Sequence, residues 1–326
     1  TGTPARRETN TMPQWAGSCW YFLRIIDPKN TACLVDPEKE RYWMPVDLYI
    51  GGSEHAVLHL LYSRFWHKVL YDIGVVSTPE PFLKLVHQGI VLGEDGQKMS
   101  KSRGNVVNPD DMFDQFGADA VRLYEMFMGP LEAMKPWSSR GVDGITRFLD
   151  RTWRLYVGED GLLSSSVSTG ELPLEVCRVL HQTIKKVTDD LEALRFNTAI
   201  AQMMVFTNEM TKLKERPRAA LEPFALLLAP FAPHFAEELW ERLGHPHSLA
   251  TTPWPTFDPA MLVSEQLTIP IQVNGKLRSK IEVPIDWTEA QIVAQANSDP
   301  KLTEWLQGKT PRKVIYVEKK LLNFVV

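Results

Sequence analysis

The sequence has few cysteines, no long apolar run and no strong excess of charge of either sign. Its three cysteines, Cys19, Cys33 and Cys177, form no C-x-x-C pair. This excludes a disulfide framework and a zinc site built on paired cysteines, and it points to a reducing compartment. No apolar run could span a bilayer, and residues 1–20 lack the basic start and apolar centre of a signal peptide. We therefore expect a globular protein without a membrane partner.

The composition is that of a globular protein large enough for two or three domains. Of the 326 residues, 44% are hydrophobic and 23% are charged, so each domain can bury a core of its own. The net charge of −4 argues against unspecific coating of nucleic acid, although a local basic face is sufficient for an RNA partner. From Val263 onward nine Lys and Arg face seven Asp and Glu, which makes the C-terminal part mildly basic.

The N-terminal part alternates between strand and helix patterns. Residues 46–50 predict a short buried strand, Gly51-Gly52 a tight turn, and Ser53 the N-cap of a helix that runs to about residue 71. Residues 82–92 predict a second strand. This order is typical of a doubly wound α/β sheet, which binds ligands at the C-terminal ends of its strands.

The middle of the chain is predicted to be helical. Asn108 is expected to cap a helix that begins at Pro109, and Gly129-Pro130 to end the helix that follows Gly117. Apolar side chains then recur at spacings of three and four, at positions 176, 180, 183, 187, 191 and 194. Further helices at 196–213 and 224–243 complete an antiparallel bundle, and residues 244–260 form a proline-broken linker.

The last part returns to strand patterns. Asn274-Gly275 is a strong two-residue hairpin signal between two strands. Two short helical segments follow, and then closing strands at 314–317 and 321–326. This predicts a small α/β domain.

Lys98-Met99-Ser100-Lys101-Ser102 is the stretch that carries the most chemistry. Its two lysines act as point charges on phosphoryl oxygens, and its two hydroxyls and backbone N–H groups supply short-range donors. A solvated basic surface loop is the alternative interpretation, and for an isolated match it is the better one.

The sequence around this stretch favours the phosphate interpretation. The pentapeptide resembles the second signature of class I aminoacyl-tRNA synthetases. The similarity continues through QGIVL at 88–92, NPDD at 108–111, GADAVRLY at 117–124 and RFLDR at 147–151. The whole chain resembles the C-terminal part of leucyl-tRNA synthetases of the bacterial and organellar type, and the cyanobacterial or plastid enzymes most.

The resemblance implies three domains and an enzymatic function. Residues 1–140 would be the C-terminal half of a Rossmann-type catalytic domain, 141–260 a helical anticodon-binding-type bundle, and 261–326 a small α/β tRNA-binding domain. The intact enzyme would use ATP and Mg²⁺ to attach leucine to tRNA-Leu through leucyl-adenylate, and it would be a monomer. The resemblance leaves the compartment open between the cytoplasm and, for a plant nuclear-encoded form, the chloroplast or mitochondrion.

The resemblance also assigns residues to roles. Lys98, Lys101, Ser100 and Ser102 would be catalytic. ATP would contact Gly51, Gly52, Glu54, His55, His59, Gln88 and Met99. Leucine would contact Trp15, Ser18, Tyr21, Tyr49 and His55, and the family often has phenylalanine where Trp15 stands. His55 and His59 share the spacing of a metal pair, but without an H-E-x-x-H motif or a third ligand nearby we expect no metal there.

Basic residues of the last domain would bind tRNA. Lys276, Arg278, Arg312 and Lys313 would contact phosphates, which position an RNA without specifying its sequence. In the bundle, Arg195 opens a recognisable turn, for which a packing role is at least as good an interpretation as an RNA contact.

Two departures from the family bear on activity. The sequence contains no H-x-G-H motif, the first class I signature, and no editing domain. We therefore expect this chain alone to be inactive and to need the missing N-terminal half as a partner. The alternatives are a fragment of a valyl- or isoleucyl-type enzyme, and a non-catalytic tRNA-binding protein derived from a synthetase.

Overall fold

The computed structural model describes residues 2, 4, 6 and 9 singly, and then 15–262, 266–306 and 308–326. Residues 10–14, part of the predicted leucine-pocket segment, lie outside the described residues. Within the described ranges no helix is long and apolar enough to cross a membrane.

Residues 15–92 form a parallel strand pair with helices around it. Strands β1 (Tyr49–Gly52) and β2 (Leu85–Gln88) pair in parallel, so both end at the same edge. A small core that contains Phe22, Leu23 and Leu70 lies beneath them. The helices are α1 (Trp15–Ser18), α2 (Tyr21–Arg24), α3 (Pro37–Trp43) and α4 (His59–Asp72).

Three local predictions for this region are wrong. Gly51 and Gly52 are the last residues of β1 and not a turn, because they pair with His87 and Gln88. Ser53 caps no α-helix: it opens a single 3₁₀ turn, and α4 begins only at His59. The predicted strand at 82–92 is two strands in different sheets, β2 and β3 (Val91–Leu92), interrupted at Gly89.

The connection from β3 to the bundle carries the lysine-rich loop. β3 pairs in parallel with β4 (Lys135–Pro136), and the loop leads into α5 (Pro109–Phe116) and α6 (Ala118–Phe127). The predicted cap of α5 is confirmed, since the Asn108 side chain accepts from the N–H of Asp110.

The middle of the chain is a helical bundle with the largest core of the described residues. Its core includes α6 as well, through Leu123 and Tyr124. The helices are α7 (Ser139–Tyr156), α8 (Leu174–Glu192), α9 (Phe196–Thr211), α10 (Arg218–Leu228) and α11 (Pro233–Arg242). Two short strands, β5 (Val167–Ser168) and β6 (Arg216–Pro217), pair beside them.

The helix pattern predicted most of the bundle, with two corrections. Leu194 lies beyond the end of α8 with a φ of +56°. The helix predicted at 224–243 is two helices, because Ala232, which precedes Pro233, has an extended φ of −133° and a residue before proline is disfavoured in a helix.

The C-terminal domain is a four-stranded sheet covered by two helices. Its strands are β7 (Gln266–Val273), β8 (Lys276–Pro284), β9 (Lys313–Val317) and β10 (Leu321–Val325), in the order β8-β7-β10-β9. The predicted hairpin is confirmed: Asn274 and Gly275 join β7 to β8 with φ of +49° and +77°. Helices α12 (Glu289–Asn297) and α13 (Pro300–Leu306) supply Ile292 and Leu302 to a separate core.

Candidate functional site

The parallel strand pair brings together several residues that were predicted to bind ATP. Gly52 stands directly beside Gln88 in the ladder, at the common C-terminal edge of β1 and β2. The carboxylate of Glu54 folds over Gly52, since a Cβ added there would lie 2.2 Å from Glu54 Oε2. A side chain at position 52 would therefore push Glu54 away, and glycine allows the Glu54 carboxylate to lie directly over this strand end.

Tyrosine and histidine side chains form a hydrogen-bonded chain behind this edge. The hydroxyl of Tyr21 lies 2.9 Å from that of Tyr49, which lies 2.5 Å from Nε2 of His59. On the other side of the ring, Nδ1 of His59 lies 3.4 Å from the buried hydroxyl of Ser63, which donates to the Ser18 carbonyl at 3.4 Å. This hydrogen-bonded chain of side chains links α2, β1, α4 and α1.

Burial keeps two side chains of this hydrogen-bonded chain, Tyr49 and His59, neutral. Desolvation raises the pKa of Tyr49, helped by its hydrogen bond to Tyr21. Desolvation also lowers the pKa of His59, and the neighbouring His55 lowers it further. A neutral His59 that accepts from Tyr49 at Nε2 carries its proton on Nδ1, where Ser63 accepts it. Ser63 was not predicted, and its only sequence signal is its place one helical turn after His59.

The remaining residues predicted to contact leucine lie around this hydrogen-bonded chain of side chains. Trp15 stacks on Tyr62 of α4 with ring centroids 6.0 Å apart. The rings of His55 and His59 are 6.0 Å apart and perpendicular. The two histidines do not share an α-helix, because His55 lies in the 3₁₀ turn, but they remain neighbours. In the part of the chain that the structure describes, no three potential metal ligands come together.

The lysine-rich loop is held by one asparagine. Oδ1 of Asn105 accepts from the N–H of Ser100 at 2.9 Å, and its Nδ2 donates to both carboxylate oxygens of Asp95 at 3.1 Å. Hydrogen bonds from the Gln97 N–H and then from the Asn105 side chain lower the pKa of Asp95. The Asp95 carboxylate therefore stays charged at neutral pH and keeps accepting from Asn105. Gly104, with a φ of +67°, turns the chain back toward Asn105.

The loop directs its methionine inward and its lysines outward. Met99 lines a small apolar cavity of about 130 Å³ together with Val91, Met112 and Trp137. Lys98 and Lys101 are exposed, and neither has an ion-pair partner among the described residues. The hydroxyls of Ser100 and Ser102 lie 2.8 Å apart. The loop therefore presents two uncompensated cations next to two hydroxyls.

Glu94 ties the loop to the bundle. Its carboxylate accepts from the N–H of Ser139 at 2.8 Å, at the first residue of α7. Hydrogen bonds from the backbone N–H and then the side chain of Ser139 lower the pKa of Glu94. A carboxylate at a helix N-terminus is favoured by the free N–H groups there.

In the bundle, the structure favours the packing role of Arg195. Its Nε lies 2.8 Å from Oδ1 of the buried Asp190. Asp190 also accepts from Thr198 at 2.6 Å and from Lys186. Burial raises the pKa of Asp190, but these three donors together outweigh it and the pKa is lowered.

The four predicted tRNA-binding cations lie at two edges of the C-terminal sheet. Lys276 lies on edge strand β8, opposite Val273, and Arg312 and Lys313 lie at the start of edge strand β9. These three side chains are exposed. Arg278 differs, because its guanidinium carbon lies 3.6 Å from the ring centroid of Trp305.

Two protein families match this chain. Residues 5–135 match the family described as tRNA synthetases class I (I, L, M and V). Residues 175–294 match the family described as the anticodon-binding domain of tRNA ligase. The first match includes the strand pair and the lysine-rich loop, and the second begins in α8 and ends in α12.

Among solved structures, the chain is similar to a LeuRS of Agrobacterium radiobacter K84, agnB2, in a ternary complex with tRNA and LeuAMS. The two sequences are 35% identical, and the TM-score is 0.71. The superposition covers 99% of this chain and 44% of that one, so this chain spans less than half the length of that relative.

Proposed function

This chain carries a class I tRNA synthetase domain (I, L, M and V) at residues 5–135, and on that premise we propose that it takes part in the ATP-dependent attachment of leucine to tRNA-Leu. The observation that carries the proposal is the loop at 98–102. Its backbone is fixed by Asn105 and anchored by Met99, while Lys98 and Lys101 stay free of internal ion pairs among the described residues. A site for the leaving group of phosphoryl transfer needs such cations, held in place but not neutralised.

The proposed chemistry is formation of an aminoacyl adenylate. The leucine carboxylate attacks the α-phosphorus of ATP, the bond from that phosphorus to the bridging oxygen breaks, and pyrophosphate leaves with the bonding electrons. Lys98 and Lys101 stabilise the charge that develops on the pyrophosphate, and Ser100 and Ser102 donate hydrogen bonds to it. The terminal ribose hydroxyl of tRNA-Leu then attacks the activated carbonyl carbon, and AMP leaves.

Class I synthetases use ATP, typically with Mg²⁺. In such sites Mg²⁺ is bound largely through the phosphates of the nucleotide, with one or two carboxylates. The described residues bring no three potential ligands together, so they fit an ion that arrives with ATP better than one held in a protein cage.

The neutral pair of Tyr49 and His59 suits an apolar amino-acid side chain. Since His59 and Tyr49 stay uncharged at neutral pH, they do not offer a charge that would favour a polar substrate. An apolar pocket separates substrates that differ by one methylene by only about 1–3 kcal/mol. A leucine enzyme built this way would need editing.

An exposed apolar surface supports the need for a second half. On α4 and in the segment that leads into β2, the side chains of Leu61, Phe65 and Leu83 are 56%, 63% and 68% exposed around a groove of about 620 Å³. Among the described residues, β1 pairs only with β2, whereas parallel sheets are normally covered on both faces. We assign this surface to the half of the nucleotide fold that carries H-x-G-H.

The first test is leucine-dependent ATP–pyrophosphate exchange. We expect no exchange by this chain alone and exchange when an N-terminal half with H-x-G-H is added. Exchange by the chain alone would contradict the need for a second half. If neither sample is active although the two halves associate, the non-catalytic tRNA-binding alternative gains support. Exchange stimulated by valine or isoleucine in place of leucine would favour the other alternative.

The second test removes one cation from the loop. In the active mixture, Lys101→Ala should lower the adenylation rate a few hundredfold, because a donor to the developing charge is lost. This corresponds to an increase of about 3 kcal/mol in the activation free energy. Leucine affinity should change little. Lys29→Ala, at another exposed lysine, is the control and should leave the rate unchanged. An effect confined to leucine affinity would contradict the role of Lys101.

A further inference from the structure

Arg278 and Trp305 form a stacked pair on the surface of the C-terminal domain. The guanidinium carbon lies 3.6 Å from the centroid of the Trp305 ring. A β-bulge sets this geometry: Leu277 pairs with Gln272 and Ser279 with Ile271, so Arg278 has no register partner. A bulge of this kind redirects a side chain, and here it turns Arg278 toward α13.

Arg278 is held by the ring and not by an acid. Within 266–306 and 308–326 it forms no ion pair, and its Nε is buried without a hydrogen-bond partner. An arginine that serves only to fix α13 to β8 would gain more from a carboxylate, because charge-assisted hydrogen bonds are the stronger ones. The flat contact with Trp305 is therefore the main interaction of this guanidinium.

Trp305 remains accessible to solvent. It is 48% exposed although the Arg278 guanidinium lies against its ring, so part of the ring is free to contact a partner. Two lysines are close to it along the chain: Lys301 lies one helical turn earlier on the same face of α13, and Lys309 follows the helix. Arg278, Lys301 and Lys309 form no ion pair among the described residues.

We propose that Trp305, backed by Arg278, is a stacking platform for a base of bound RNA. This inference rests on the proposed function, which supplies tRNA as the partner. An aromatic ring takes the face of any base, and neighbouring cations hold the phosphates on either side. In this proposal Arg278 contributes to stacking, whereas the sequence analysis assigns it a phosphate contact.

Salt dependence separates the two kinds of contact. A phosphate contact releases counterions, so its loss reduces the slope of log affinity against log salt by about 0.7–0.9. A stacking contact involves no counterion, so its loss weakens binding at every salt concentration without changing the slope. The probe is an unmodified tRNA-Leu transcript, bound to the full chain at four salt concentrations between 50 and 300 mM.

Trp305→Leu should bind the transcript about 10-fold more weakly with an unchanged slope. Trp305→Tyr, which keeps a ring, should stay within about threefold of the wild-type affinity. Lys313→Ala, at an exposed cation of β9, is the matched control and should reduce the slope. Thermal unfolding of each variant shows whether a loss of affinity merely follows a loss of folded protein.

Three outcomes would overturn the platform. Trp305→Leu could bind like the wild type, it could lose affinity only in proportion to its unfolded fraction, or its main effect could be on the slope. If the wild-type chain binds no tRNA even at 50 mM salt, the proposed tRNA partner is itself wrong. Binding by the wild type together with an unaffected Trp305→Leu refutes the platform alone.

Discussion

Gly89 shows how a single missing side chain allows the chain to pass from one sheet to the next. A Cβ at this position would lie 2.0 Å from the carbonyl oxygen of Ala133 and 2.3 Å from its carbon. The Gly89 N–H donates to the Leu131 carbonyl at 2.8 Å. Since the obstacle is backbone, it cannot rotate away as a flexible side chain would.

Gly89→Ala should therefore destabilise the protein by about 1–3 kcal/mol, the usual cost of overpacking. It should also reduce exchange activity in the complemented enzyme, because β3 leads directly to the lysine-rich loop. Gly144→Ala is the control: it lies within α7 with no atom closer than 3.8 Å to the added Cβ. Alanine should stabilise that helix by up to about 1 kcal/mol. Urea unfolding measures both, and equal midpoints for the two variants would contradict the packing argument.

Asp190 supports a second prediction, on stability and pH. Asp190→Asn should lower the free energy of unfolding at pH 7 by about 2 kcal/mol, because a buried acceptor of three hydrogen bonds loses its charge. The folded-state pKa of Asp190 is lowered, so its stabilisation is present above the unfolded pKa and is lost as the pH falls through the folded value.

The wild-type and Asp190→Asn proteins should thus converge in stability below about pH 4. The matched control is Asp189→Asn, whose carboxylate is 44% exposed and pairs only with Lys185 one turn away. That change should leave the unfolding midpoint nearly unaltered, as exposed ion pairs contribute little. A constant gap between wild type and Asp190→Asn from pH 3 to 7 would be incompatible with the buried charge.

Local sequence chemistry predicted some residues of this structure and not others. Asn108 was predicted as a cap because cap, proline and acidic first turn are contiguous in sequence. Ser53 was predicted as a cap for similar reasons, yet the pairing of Gly51 and Gly52 with distant β2 prolongs the strand. The hydrogen bonds of Asn105 with Ser100 and Asp95, and of Ser63 with His59, form between side chains and backbone groups that meet across turns and helices. No spacing rule in the sequence specifies them.

At the scale of elements, α6 fixes the joint between α10 and α11. The Asp119 carboxylate accepts from the N–H of Phe235 at 2.6 Å and from Nδ1 of His234 at 2.9 Å, in the first turn of α11. Arg122, one turn later, donates to the carbonyls of Pro230 and Phe231. Helix α6 thus supplies hydrogen-bond partners to carbonyls after α10 and to the first turn of α11.

Asp119→Ala should destabilise the bundle by about 1–2 kcal/mol, as the loss of an N-cap does. The N–H of Phe235 would lose its acceptor in a half-buried place. Asp143→Ala, on the exposed face of α7, is the control and should have little effect. Chemical denaturation monitored by helical circular dichroism is the measurement, and equal losses for the two variants would rule out the capping role.

The break between α10 and α11 could have been predicted from the sequence. The letters APFAP at 229–233 contain two prolines, and a proline ends or kinks a helix at the preceding residue. The apolar periodicity across the joint obscured that signal. By contrast, the hairpin at Asn274-Gly275 was predictable because its two residues alone require the positive φ angles of the turn.

At the scale of the molecule, the described residues form three separate cores. The core of 269–324 contains no residue of the bundle, whereas α6 and the bundle share one core. Because the C-terminal core is self-contained, a chain that ends at Leu262 should keep the main thermal unfolding transition of the full chain. It should lose most of its affinity for tRNA-Leu. Loss of the cooperative transition on truncation would contradict separate cores.

The contact between Glu94 and Ser139 has a mechanical consequence. The turn that carries Glu94, just before the lysine-rich loop, and the first residue of an 18-residue helix are joined by a hydrogen bond of 2.8 Å between the Glu94 carboxylate and the Ser139 N–H. A displacement of the turn therefore strains this bond unless the Glu94 side chain or the helix start moves with it. The bond thus couples the position of the lysine-rich loop to that of the bundle.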